Sequence, residues 1–325
     1  MNIAFAGFRH GHIFALLEWA RQANLNIVAA FENDEDAIEA AESKGISITH
    51  NSYDKMLEDK SIDIIAIGNY YSIRGEMAIK ALNAGKHVIS DKPLCTSIEE
   101  LNMIAKTATE KNKKVGCMLD LRYAAATLIA KKIVSSGKLG EIHNVSFGGQ
   151  HCLNVDSRPH WYFEEGKHGG TINDLAIHGI DLVRYITGKS LSKVNSARCW
   201  NAYSKKFPNF KDSAQFMAEF ENSTGLIADV SYALPNVKGF TPKQWWRFTF
   251  WGENGLMEFN YNDNTVELIL NGADKTQVIE GESSKSNPLL DFIAEINGEK
   301  RDLNTKSVLE SSMDTLLIQA AADKT

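Results

Sequence analysis

The sequence predicts an α/β protein: an N-terminal doubly wound parallel sheet, then a second α/β domain with an open, mostly antiparallel sheet. Three observations carry the prediction. Short apolar, β-branched runs alternate with helical segments through residues 1–120. The alternation then stops. Beyond it, runs of alternating polarity are broken by Asn-Ser, Glu-Asn-Gly and Asn-Asp-Asn turns, the texture of antiparallel strands.

The strands of the first part are "NIAFAG", "LNIVAAF", "IDIIAIG", "KHVIS" and "KKVGCM". Continuous apolar strands separated by helices argue for a parallel sheet covered on both faces, with ligands at the carboxyl ends of the strands. In "HIFALLEWARQ", Ile13, Leu16, Leu17 and Ala20 fall on one helical face. The stretch "IRGEMAIKALNAG" puts Met77, Ala78 and Leu82 near one stripe and closes at Gly85. Ser97 and Glu100 make a capping-box signature for the next helix.

In the second part, "ATLIAKKIVSSGKLGEI" reads as a helix closed by a glycine turn. The strand series then runs from "HNVSFGGQH" to "TVELIL", interrupted near its start by one strong helix, "GGTINDLAIHGIDLVRYITG". The tail segments "PLLDFIAEINGEK" and "KSVLESSMDTLLIQAAAD" are helical again. The boundary falls at Leu121–Tyr123, giving domains of residues 1–121 and 122–325.

Bulk properties narrow the function. A formal charge of −6 supplies no broad basic field, which argues against nucleic acid as a partner. No segment approaches the roughly 20 apolar residues of a membrane span. Cys95, Cys117, Cys152 and Cys199 are scattered without a Cys-x-x-Cys pair, as reduced thiols are. The N-terminus shows no basic, apolar export signal. The expected location is the cytoplasm.

The opening "IAFAGFRHGHI" has two chemical readings. A strand ending in His-x-His can offer two imidazoles to a metal, but further ligands would be needed at later strand ends. None of the four following strands ends in a histidine or aspartate pair, so no metal is expected. The other reading is a dinucleotide cradle. Gly7 fills the first position of G-x-G-x-x-G, while Arg9 and His12 occupy the other two and Gly11 is an extra glycine. The loop follows a strand and opens a helix, where amides and the helix dipole favour an anion. Glu32, at the end of the second strand, stands where a ribose hydroxyl would be bound; it also reads as a solvated acid beside Asp34, Glu35 and Asp36.

Two more stretches could carry chemistry. "GKHVISDKPLCTS" puts Asp91, Lys92 and Pro93 at a strand end, where an ammonium could polarise a substrate oxygen or simply face solvent. Asp174 and His178 lie four apart, on one face of a helix. A histidine beside a carboxylate suits acid–base work on a hydroxyl, and is equally an ordinary half-buried pair.

Together these stretches resemble the family of glucose–fructose oxidoreductase, inositol dehydrogenase and the rhizopine catabolism protein. "ALNAGKHVISDKPL" is similar to that family's A-L-x-A-G-K-H-V-x-x-E-K-P stretch, and "WYFEEGKHGGTINDLAIHGIDLVRYITG" to its Gly-rich D-x-x-x-H signature; the closing "NPLLDFIAEINGEK" resembles its final helix. The resemblance implies a Rossmann domain, NAD as cofactor with NADP possible, and a sugar, inositol or related polyol as substrate. His178 would exchange the hydroxyl proton, Lys92 would hold that oxygen, and Asp174 would orient substrate or His178. Gly7, Phe8, Arg9, His10, Glu32, Asn33, Gly68, Asn69, Asp91 and Lys92 would contact the cofactor. Arg122, His160 and Trp161 would line the substrate cleft.

The chain departs from the pattern in four places. The acid of E-K-P is Asp91, Gly68–Asn69–Tyr70 replaces a Thr-Pro, Arg74 aligns with a frequent histidine, and two loop glycines are absent. The expected activity is hydride transfer; a sugar- or nucleotide-sensing regulator and an NAD-dependent glycosidase on the same fold are the alternatives. A homodimer or homotetramer through the open sheet is expected, from the apolar "WWRFTFW" strand.

Overall fold

The apolar N-terminal runs form one parallel sheet in the computed structural model, which describes residues 1–324. Its strands are β1 (Asn2–Ala6), β2 (Asn26–Phe31), β3 (Ile64–Ile67), β4 (His87–Ser90) and β5 (Val115–Cys117), in the order β2-β1-β3-β4-β5. The helices between them are α1 (Ile13–Gln22), α2 (Glu35–Ser43), α3 (Tyr53–Leu57), α4 (Tyr71–Asn83) and α5 (Ile98–Glu110). Strand order reverses between β1 and β3, so a crevice opens outside their carboxyl ends. The loops after β1, β3 and β4 all meet there.

Local chemistry accounts for these elements. α1 buries Ile13, Leu16, Leu17 and Ala20 against Ile3, Phe5, Ile64 and Ala66. Ser97 caps α5 by accepting from the Glu100 amide at 3.1 Å, and the Glu100 carboxylate returns to the Thr96 amide. The apolar stripe of α4 includes Met77, Ala78 and Leu82, and also a buried charge, Arg74.

The second sheet has the order β13-β12-β11-β10-β6-β9-β8-β7. Its strands are β6 (Ile142–Gln150), β7 (Leu191–Trp200), β8 (Ser213–Phe220), β9 (Thr224–Ser231), β10 (Arg247–Gly252), β11 (Gly255–Asn260), β12 (Thr265–Leu270) and β13 (Gln277–Glu280). Every pairing is antiparallel except β6 with β9. The helices α6 (Ala125–Ser135) and α7 (Ile177–Thr187) belong with this sheet, and α8 (Pro288–Ile296) and α9 (Thr305–Ala322) close the chain. One sheet face buries Phe147, Phe216, Phe248 and Phe250, whereas the other exposes Met217, Ile227, Trp251, Ile269 and Val278.

The chain divides into two compact units. One comprises Met1–Leu119, Pro159–Gly169 and Asn287–Met313; the other comprises Asp120–Arg158, Gly170–Ser286 and the segment from Asp314. The units interleave along the sequence, whereas a single boundary at 121/122 assigns residues by position alone. Phe292 of α8, for example, packs in the core of the first unit.

Gly179 lets α7 approach the second sheet, because a Cβ there would lie 2.3 Å from the Phe147 ring. Gly179→Ala is expected to destabilise the protein by about 1–3 kcal/mol through overpacking. Urea unfolding followed by circular dichroism measures the shift, and an unchanged midpoint would contradict the contact.

Candidate active site

Gly7 adopts φ +88°, and a side chain there would meet the Asn69 backbone at 2.6 Å. Only glycine therefore allows the loop after β1 to pass the loop after β3. The amides of Arg9 and His10 both donate to the Gly68 carbonyl at 3.1 Å. Trp161 Nε1–H donates to the Arg9 carbonyl at 3.0 Å, so this residue braces the loop from the segment 159–169. A Cβ on Gly11 would meet nothing within 4 Å, so there is open space beside this residue at the start of α1.

Glu32 is buried and engaged. Its carboxylate accepts from the Phe8 amide at 2.8 Å, from Arg9 Nε and Nη2 at 3.1 Å, and from the amides of Asn33 and Asp34. Arg9 also reaches Asn33 Oδ1 at 2.6 Å and lies over the Tyr70 ring. The acid read from sequence as a ribose ligand thus ties the glycine loop to the end of β2. Beside it lies a cavity of about 360 Å³ lined by Arg9, Asn33, Tyr53, Asn69, Tyr70 and Lys167 among others.

The third loop, after β4, holds Lys92 through a cis Lys92–Pro93 peptide. Arg74, fully buried, donates to the carbonyls of Asn69 (2.7 Å), Asp91 (2.9 Å), Lys92 (2.7 Å) and Pro93 (3.2 Å), and to Asp91 Oδ2 at 3.0 Å. His10 Nδ1 bonds the same Asp91 oxygen. His10 Nε2 lies 3.2 Å from the Tyr71 hydroxyl, itself 2.6 Å from that of Tyr162. Burial lowers the His10 pKa to about 4, against the opposing charge of Asp91. Burial alone would raise Asp91, but its contacts with His10 and with the Arg74 guanidinium dominate and hold it well below the ordinary range. Arg74 is permanently charged, so the arrangement is an ionised Asp91 accepting from a neutral His10.

The fold also supplies a third donor for the His-x-His reading, Asp91 just beyond β4. His10, His12 and Asp91 bring ligand atoms within 4.8 Å of one another. However, Arg74 already pairs with Asp91, and the Lys92 charge reaches His10 as well. The acid is balanced by cations of the protein itself.

In the second unit, Asp174 and His178 fall on two windings of one helical segment. Ile172–Ala176 is π-helical, and α7 takes over at Ile177. The Ile172 and Asn173 amides at its start donate to Gln319 Oε1 at 3.0 and 3.1 Å. Such π turns are frequent at functional sites. The Asp174 carboxylate accepts from the Tyr232 hydroxyl. The His178 ring lies against Trp246, with Nδ1 3.9 Å from Asp120 Oδ1. Tyr232 also walls a cavity of about 420 Å³ with Asn154, Asp156, Ser157, Tyr203 and Asn236.

Arg122 forms a two-bond ion pair with Asp181 at 2.5–2.7 Å and stacks over Tyr185. His160 is exposed, 3.8 Å from Glu164. Sequence reasoning missed Tyr71, Tyr162, Tyr232 and the role of Arg74. Only Arg74 carried a signal: a charge in register with buried Met77, Ala78 and Ala81.

Comparison with known proteins follows the same division. Residues 1–118 match a family model described as an oxidoreductase family with an NAD-binding Rossmann fold, and residues 127–258 match the GFO/IDH/MocA C-terminal domain. Levoglucosan dehydrogenase of Pseudarthrobacter phenanthrenivorans is 32% identical over 174 residues, covering 52% of this chain and 44% of that protein. The scyllo-inositol 2-dehydrogenase (NAD(+)) of Bacillus subtilis is 29% identical over 182 residues, 54% of this chain and 50% of its own. The chain thus spans about half the length of these relatives. A levoglucosan dehydrogenase structure in complex with NADH and L-sorbose shares the fold at TM-score 0.81 and 22% identity, over 100% of this chain and 97% of that one. An aldose-aldose oxidoreductase from Caulobacter crescentus does so at TM-score 0.79 and 19% identity, over 100% and 98%.

A buried histidine with a lowered pKa makes stability pH-dependent with a fixed sign. Between the ordinary value of 6.5 and about 4, the unfolded chain binds a proton that folded His10 does not. Stability is therefore complete above that window and falls as pH drops through it. His10→Asn removes this contribution, while His87, also lowered to about 4, keeps its own. Urea denaturation at several pH values from 7 to 4 is expected to give a shallower decline for His10→Asn than for the parent protein; equal slopes would contradict it.

Proposed function

The chain belongs to the GFO/IDH/MocA family of oxidoreductases, and from that premise we propose that it is an NAD(P)-dependent enzyme acting on the CH–OH groups of a sugar, inositol or related polyol. The observation that carries the reading is the reactive set itself: Lys92 on the turn after β4, and Asp174 and His178 on the π–α segment. His178 exchanges the proton of the reacting hydroxyl. The Lys92 ammonium holds the same oxygen and stabilises charge on it. Asp174, fixed by Tyr232, orients substrate or His178.

The residues of the first unit fit a dinucleotide. Gly11, with open space beside it, precedes α1, and Gly7, Phe8, Arg9 and His10 form the loop at the switch point. Asn33 and Asn69 line the cavity beside this loop, and Glu32, Gly68 and Asp91 lie at the ends of β2, β3 and β4 around it. When bound, the nicotinamide supplies the hydride acceptor or donor. Glu32 favours NAD, and Arg9 with Asn33 admits NADP. The relatives named as dehydrogenases of levoglucosan and scyllo-inositol support a polyol or sugar as substrate. A ligand-sensing regulator is the second reading, favoured by one observation: the Glu32 carboxylate is taken up by its own loop.

The exposed apolar sheet face supports a homodimer or homotetramer. Ile227 is 57% and Val278 63% exposed, on strands that also present Met217, Trp251 and Ile269. Among the described residues no helix is long and apolar enough to cross a membrane; the four cysteines form no disulfide, in keeping with a cytoplasmic enzyme.

Calorimetry with NADH and NADPH, followed by turnover of a sugar and polyol panel, tests the reading. His178→Asn should lower kcat by about 10²–10⁴-fold with cofactor affinity unchanged. Wild-type protein that binds neither cofactor would overturn the proposal. For the assembly, light scattering should show Ile227→Lys dissociating an oligomer; a wild-type monomer at micromolar concentration would refute it.

A further inference from the structure

We infer that His10 is a positioning residue for Lys92 and acts through Asp91, rather than serving as a phosphate ligand of the cofactor loop. The inference rests on the oxidoreductase reading above. It starts from His10 in the glycine loop and from two departures of this chain from its family pattern, Asp91 ahead of the lysine and Arg74 on α4. All three meet at one buried carboxylate.

Asp91 is fully buried, and one methylene shorter than the glutamate it replaces. Its Oδ2 is shared by His10 Nδ1 and Arg74 Nη2, and its Oδ1 lies 3.3 Å from His12 Nδ1. The guanidinium also bonds the carbonyls of Asp91, Lys92 and Pro93, so the turn carrying Lys92 moves only if these bonds break together. His10 is the opposite jaw of this clamp. With Nδ1–H directed to Asp91, Nε2 accepts from the Tyr71 hydroxyl, and neither ring nitrogen is left to donate to a phosphate. Tyr71 lies between the parts: its ring is 4.6 Å from the Arg74 guanidinium carbon and 5.9 Å from Lys92 Nζ. The His10 amide donates to the Gly68 carbonyl, so one residue joins the loops after β1, β3 and β4.

The physical consequence is separable from cofactor binding. Without the imidazole, the buried carboxylate loses a donor and can rotate, and Lys92 is the next residue in the chain. A displacement of a reacting group by an ångström or less lowers the rate constant of the chemical step and leaves ground-state affinity largely intact.

The test uses the full-length protein with His10→Ala and His10→Asn. His10→Ala is expected to lower kcat by about tenfold to a hundredfold, while the calorimetric Kd for NADH stays within about threefold. His10→Asn keeps an N–H for Asp91 and is expected to recover most of kcat. In parallel, the acylation rate of Lys92 by an amine-reactive reagent, read by peptide mass spectrometry without cofactor or substrate, should change in His10→Ala and return in His10→Asn. If His10→Ala does not fold, His10→Leu, which fills the site without a donor, is read the same way. A tenfold or weaker Kd for NADH at unchanged kcat, or an unaltered Lys92 acylation rate in a folded variant lacking the donor, overturns the inference. Failure of the oxidoreductase reading shows separately, as wild-type protein without cofactor binding or turnover; the acylation rates then still decide the role of His10.

Discussion

A carboxylate removed from water needs permanent charge and several donors, and Asp91 is the place where the first unit meets that demand. Leaving such a group with one partner missing costs about 3–5 kcal/mol. Arg74 supplies the charge, and His10 supplies a neutral N–H. Because Arg74 arrives on α4 and His10 on the loop after β1, satisfying this one group fixes three loops at once. The switch point of the sheet is therefore organised by electrostatics as much as by glycine.

This constraint changes how the glycine loop is understood. Dinucleotide loops use glycine so that backbone can approach pyrophosphate and helix can pack on strand. Here Gly7 keeps the close crossing with Asn69, and Gly11 keeps open space before α1. The side chains of Arg9 and His10 turn inward, to Glu32 and Asp91. Arg9 neutralises Glu32, His10 donates an N–H to Asp91, and Trp161 closes over the loop backbone from a distant part of the sequence.

The second unit solves a different problem. Its sheet must carry a polar, reactive helix against an aromatic core of Phe147, Trp246 and Phe248. Gly179 allows the close approach, and the π winding at Ile172–Ala176 changes register just before His178. Asp174 then faces Tyr232 at the end of β9, and His178 faces Trp246 and Asp120.

Much of the architecture was legible from the chain because it rests on local periodicity. Continuous apolar runs specified the parallel strands, the Ile13–Ala20 stripe specified the buried face of α1, and Ser97 with Glu100 specified a helix start. The placement of the candidate residues was legible for the same reason, since they sit at strand ends and on one helical segment. Partnership was not legible. Nothing in the spacing of residues 10, 74 and 91, or of 174 and 232, announces that they meet, because each contact is made by loops or elements far apart in sequence. The sequence by itself determined which groups are present and on which elements. Only tertiary structure decided that Glu32 and Asp91 pair with the protein's own arginines, because burial of a charge is a property of the assembled core and not of any segment.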